Sequence, residues 1–138
     1  MPYGRPTADL RTDAVVLACA ISAGIHGALV RDHFAEGTGA GIGFLVSTLL
    51  LALLALALRR RPSAPAFAAA ALLFAGLIGA YALVVTTGFP VLHPEQEGVE
   101  GLALFTKAIE AVGLVAAASL VPRPSIAFAF SRPKGTLT

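Results

Sequence analysis

Three histidines, His26, His33 and His93, and a handful of carboxylates are the residues of this chain best suited to chemistry. His26 and His33 stand seven apart, which places them on one face of a helix, two turns from each other. Ser22 precedes His26 by four and shares that face, and Glu36 follows His33 by three, close enough to share a ligand. Imidazole suits copper, zinc and haem iron, and imidazole mixed with carboxylate suits several divalent ions. The helical rise between the two histidines, about 10 Å, is too long for both to hold one ion. One ion would draw on His26 with Glu110, or on His33 with Glu36 and His93. The chemistry these types permit is a site made of His26, His33, Glu36, His93 and Glu110, holding copper, zinc or haem, or handling protons. A plainer reading competes with it. Glu110 then pairs with His26 or with Lys107 as an interhelical ion pair, and His33 and His93 are solvated loop residues. No HxxxH, HxxEH or Met-rich copper run favours the metal.

The elements that position these residues follow from composition. The chain has 138 residues and a mass of 14.0 kDa, with 57% hydrophobic and 13% charged residues and a mean hydropathy of +0.81. An average soluble domain carries roughly 25% charged residues, so about half the usual polar coat is missing. A soluble globule of this size buries only about two-thirds of the surface its unfolded chain exposes, too little to hide so much apolar area. A net charge of +2 is too weak a field for a phosphate backbone, which argues against nucleic acid. The partner for most of the surface is a lipid bilayer.

Four apolar runs stand out: Ala14 to Val30, Ala40 to Leu58, Phe67 to Thr87 and Leu102 to Val121. Each meets the requirement of roughly 17 to 25 residues for a spanning helix. They predict an all-α, single-domain polytopic membrane protein with helices at about 14–35, 40–58, 66–87 and 102–121 and a cytoplasmic tail at 122–138. Prolines 62, 65, 90, 94, 122 and 124 all fall outside the spans, where a residue without an N–H belongs. Val16-Leu17-Ala18-Cys19 loosely resembles a lipoprotein cleavage site, but too few apolar residues precede Cys19, so the first helix is expected to stay.

Loop charge sets the orientation. Arg5, Arg11, Arg59, Arg60, Arg61, Arg123, Arg132 and Lys134 fall on one side, and Arg31 and Lys107 on the other. The expectation is an antiparallel up-down four-helix bundle of a bacterial inner (plasma) membrane, with both termini inside. Asp32, Glu36, Glu95, Glu97, Glu100 and all three histidines then face outward. Glu110 lies roughly 12 Å below Leu102, and His26 about 10 Å below His33, so the two reach a similar depth. A carboxylate at that depth must be neutral, paired or beside water, and marks a site between helices one and four.

Other patterns are weaker. Gly37 to Gly43, GTGAGIG, follows a spanning helix rather than a strand, so it reads as a flexible lead-in to helix two and not a nucleotide loop. Ala20, Gly24 and Ala28, Ala75 and Gly79, Gly76 and Ala80, and Gly113 and Ala117 are small residues four apart that would let helices approach closely. Arg59, Arg60 and Arg61 would touch anionic lipid or set topology. Ser125 to Phe130 is too short to span and would lie on the inner surface.

The stretch SAGIHGALVRDHFAEGTGAGIGFLV, Ser22 to Val46, resembles small four-helix integral membrane proteins of actinobacteria. In those a histidine near the end of helix one is followed by a second histidine, an acid and a Gly-rich turn. TTGFPV at Thr86 to Val91 and the pair Lys107 and Glu110 are also similar. The resemblance covers nearly the whole chain and implies the topology and the choice of residues, without an activity. Three functions follow as expectations: an ion- or proton-handling protein, a non-catalytic subunit of a larger membrane complex or a homo-oligomer, and a small transporter. The last usually needs repeats or broken helices, which are not visible here. No catalytic set points to an enzyme.

Overall fold

A computed structural model describes residues 7–88 and 98–122. His93, Glu95, Glu97, Arg5 and the tail beyond Pro122, with Arg123, Arg132 and Lys134, lie outside the described residues. The rest is all-α, with helices α1 (Thr7–Glu36), α2 (Thr38–Arg60), α3 (Ala64–Thr87) and α4 (Gly101–Leu120). All four are long and apolar enough to cross a membrane.

Two boundaries differ from the expectation. α1 begins at Thr7 rather than near residue 14. The apolar run limits what lipid covers, not where the helix must stop, and Leu10-Arg11-Thr12-Asp13 contains no breaker. The Gly-rich run is not a loose lead-in. Only Gly37 lies between α1 and α2, in extended backbone with φ 177° and ψ 147°, and the remainder of the run is the first turns of α2. Glycine is tolerated there for a packing reason, because a Cβ at Gly41 would collide with the ring of Phe34. α3 follows α2 after three residues, and Pro65 sits in its first turn, where its missing N–H is not needed.

α1 packs against α2 and α4, α4 packs against α3, and α2 touches α3 more lightly. Each helix turns a narrow stripe inward. On α1 the stripe is Val15, Ala18, Cys19, Ser22, Ala23 and His26, and on α4 it is Thr106, Glu110, Gly113 and Ala117, spaced by three and four as a helical face requires. Val15, Leu51, Leu58, Phe67, Phe74 and Ala117 make the apolar core. Large apolar side chains on every helix face outward, among them Leu17, Leu53, Leu72 and Val115, as expected where lipid is the surroundings. Of the small-residue pairs, Gly113 and Ala117 are buried, whereas Ala20, Gly24 and Ala28 are exposed.

Candidate functional site

The inward stripes of α1 and α4 change character along their length. Val15, Ala18 and Cys19 meet Gly113 and Ala117 at one end, while Ser22, His26, Thr106 and Glu110 are buried together at the other. Glu110 is fully buried, nine residues into a helix of twenty, about 14 Å from its start. That distance is about half the thickness of a hydrocarbon layer of roughly 30 Å.

The carboxylate is held from two helices. Ser22 Oγ of α1 donates to Oε1 at 2.8 Å, and Lys107 Nζ donates to Oε2. Lys107 and Glu110 are three apart on α4, so this pair is intrahelical rather than interhelical. Lys107 links helices in another way: its Nζ lies 3.5 Å from the carbonyl of Leu77 and 5.7 Å from the ring centre of Tyr81, both on α3. A buried charge needs such partners, because without them the loss of its water goes uncompensated.

His26 completes the group. Its Nδ1 lies 2.9 Å from the carbonyl oxygen of Ser22, which can only accept, so Nδ1 carries the hydrogen and donates it. Nε2 is then the titratable atom, 3.9 Å from Oε1 of Glu110. Two turns further along α1, His33 repeats the arrangement. Its Nδ1 donates to the carbonyl of Leu29 at 2.9 Å, and its Nε2 lies 3.9 Å from Oε2 of Glu36. Both rings lean on Phe44 of α2: His33 stacks on it at 3.5 Å between ring centres, and His26 lies tilted at 5.1 Å.

A cavity of about 830 Å³ opens beside these groups, with walls from all four helices. His26, His33, Phe44, Tyr81 and Lys107 line it, as do the exposed carboxylates of Asp32, Glu36 and Glu100 near its mouth. Glu110 lies behind His26, Thr106 and Lys107 and does not line it. The apolar core fills the other end of the bundle.

The five expected site residues thus form two His–Glu pairs, His26 with Glu110 and His33 with Glu36, and His93 lies outside the described residues. Among the described residues no group of three or more His, Cys, Asp or Glu side chains is placed to hold a metal ion. Arg59, Arg60 and Arg61 are exposed at the end of α2, apart from this site. Sequence reasoning missed Phe44, Leu77 and Tyr81. A hydroxyl inside an otherwise apolar span was a signal for Tyr81; nothing separates Phe44 from the other phenylalanines. No protein-family model matches this chain, and neither a curated protein nor a solved structure matches it.

Proposed function

We propose that this is a multi-pass protein of a bacterial cell membrane that binds protons from one face, at the His26–Glu110 pair between α1 and α4. The observation that carries the reading is the carboxylate of Glu110, fully buried at mid-span, with the Nε2 of His26 3.9 Å away. An ionisable group at that depth is costly to keep, so it marks function. A single water or a small ring rotation closes 3.9 Å to hydrogen-bond distance, so a proton on Nε2 meets a carboxylate ready to share it. His33 and Glu36, nearer the mouth, form the first station, and the apolar core makes the path a dead end. The protein therefore stores or senses a proton and does not conduct one across.

The arrangement in the membrane is part of the proposal. The helices run up and down antiparallel, with both termini on the arginine-rich cytoplasmic side. In support, the one-residue link at Gly37 leaves no room for a crossing, and Thr48 of α2 lies against Gly27 of α1 while Phe34 lies over Gly41. Cysteine labelling in a Cys19→Ala background tests it: residues 61 and 98 are expected on opposite sides.

The proton reading is tested by infrared difference spectroscopy of the protein in lipid nanodiscs across the range from acid to mildly alkaline pH. A carboxyl or imidazole band is expected to titrate and to vanish in both Glu110→Gln and His26→Ala. A spectrum in which neither variant removes a titrating band overturns the reading.

A second reading has one observation behind it. Both histidines give their Nδ1 hydrogen to a backbone carbonyl, the arrangement that orients an imidazole whose Nε2 binds a metal. His33 and Glu36 with His93 would then hold copper or zinc. Stoichiometric metal in purified protein, lost in His33→Ala, would favour it over the proton.

A further inference from the structure

A proton needs no cavity of about 830 Å³. That volume lies within the roughly 300–1,000 Å³ of pockets that enclose drug-sized molecules. Its walls are largely apolar, with Ile25, Leu29, Phe44, Leu77, Val84 and Leu102 contributed by four helices. Its wall carries groups of both signs, with His26, His33 and Lys107 beside the carboxylates and His33 3.9 Å from Glu36, but the carboxylates predominate at the mouth. Lys107 is the ammonium in the wall, and its charge is matched by Glu110 behind it. Asp32, Glu36 and Glu100 add three carboxylates at the exposed end. A cleft whose exposed end carries an excess of one sign of charge, above apolar walls, concentrates ligands of the opposite sign.

We infer that this cavity takes a lipophilic organic cation, its apolar groups among Phe44, Leu77 and Val84 and its charge drawn toward Asp32, Glu36 and Glu100. The alternatives fail on one wall or the other. An anion meets three like charges on entering. A hydrated inorganic ion gains nothing from the apolar walls, and a neutral amphiphile gains nothing from the acidic mouth. The hydroxyl of Tyr81, a lining residue, is buried with no hydrogen-bond partner among the described residues. The inference extends the reading of a one-sided cation site, and its test separates the two.

The probe is radiolabelled tetraphenylphosphonium, measured against protein in nanodiscs of zwitterionic phosphatidylcholine. Tetraphenylborate, of the same shape and opposite charge, is the comparison. Saturable phosphonium binding is expected, at least roughly tenfold tighter than borate, since nearby charges of one sign act together. The triple variant Asp32→Asn, Glu36→Gln, Glu100→Gln changes exposed side chains only. It is expected to keep its helical circular dichroism and to lose roughly tenfold or more in phosphonium affinity. Ala103→Phe, which fills the cavity from α4, is expected to abolish binding. Borate binding as tight as phosphonium, or a triple variant with unchanged affinity, overturns the inference. Absence of phosphonium binding while the Glu110 band still titrates sinks this inference alone. Saturable phosphonium binding with a silent Glu110 band sinks the proton reading alone.

Discussion

The two halves of the bundle interior are built from the same helices on different terms. In one half, Val15, Ala18 and Cys19 of α1 meet Phe67 and Phe74 of α3 and Gly113 and Ala117 of α4 without a polar side chain among them. In the other, Ser22 and His26 meet Lys107 and Glu110 through hydrogen bonds and charge. Lipid tails are as apolar as leucine, so the first half gains from association only what close fit provides. The second half gains because lipid offers its polar groups no other partner. The apolar half should therefore answer to shape, and the polar half to the removal of a partner.

Removing the carboxylate is the harshest way to break that contrast. Glu110→Leu keeps most of the bulk but strands the ammonium of Lys107 and the hydroxyl of Ser22. Breaking a buried pair from one side costs about 3–5 kcal/mol. The lower figure applies here, because the Lys107 side chain is 18% exposed. Unfolding in mixed micelles measures it. The double variant Lys107→Met, Glu110→Leu should recover most of the loss, since it leaves no orphaned charge. A single variant as stable as wild type would mean the polar half is held by something else.

The apolar half is tested by a single methyl. A Cβ at Gly113 would lie 2.5 Å from Cε2 of Phe74 and 2.8 Å from Cβ of Ala18, inside contact distance on both sides. Gly113→Ala is expected to cost about 2 kcal/mol, typical of overpacking a tight core. Phe74→Leu placed beside it should restore part of the loss, because the ring is what the methyl strikes. If the rescue fails, strain in the backbone rather than the ring contact sets the cost.

How much of this could be read from the sequence depends on range. The four spans were legible because about twenty consecutive apolar residues carry the signal, and neither partner nor angle enters into it. The depth match of His26 and Glu110 was legible too, since rise per residue is fixed. What the linear chain does not contain is azimuth. It does not say which side of α3 turns Tyr81 toward Lys107, or that Phe44 of α2 lies against both imidazoles. The Gly37–Gly43 run was misread for a related reason: glycine loosens an isolated helix, and only the ring of Phe34 over Gly41 explains its place inside one. The start of α1 was missed because hydropathy marks where lipid ends, whereas a helix continues into water while its residues allow it.

Returning to the polar half, one hydrogen bond can be removed without stranding a charge. Ser22→Ala deletes the 2.8 Å bond to Glu110 and leaves the Lys107 pair in place. Hydrogen bonds between spanning helices average about 0.6 kcal/mol and seldom exceed roughly 1.7. A loss of about 1 kcal/mol is expected, well under that of Glu110→Leu, measured by the same unfolding assay. A loss as large as that of Glu110→Leu would place the weight of the polar half on Ser22 instead of the ion pair.

The smallest effect is expected from the substitution that looks identical to Gly113→Ala. Gly24 also sits in a small-residue row, with Ala20 and Ala28 four residues to either side, yet a Cβ there would meet nothing within 4 Å. Gly24→Ala should leave the stability of the monomer within about 0.5 kcal/mol, or raise it slightly, because alanine is the better helix former. The two glycines thus share a spacing and differ only in what stands opposite, which spacing alone never states. Crosslinking in lipid gives the comparison its last edge. If Gly24→Ala leaves the monomer intact but dissolves a crosslinked dimer, the outer row is an interface between copies, and a third kind of packing surface joins the two inside. If neither quantity moves, that row faces lipid and its spacing reflects composition.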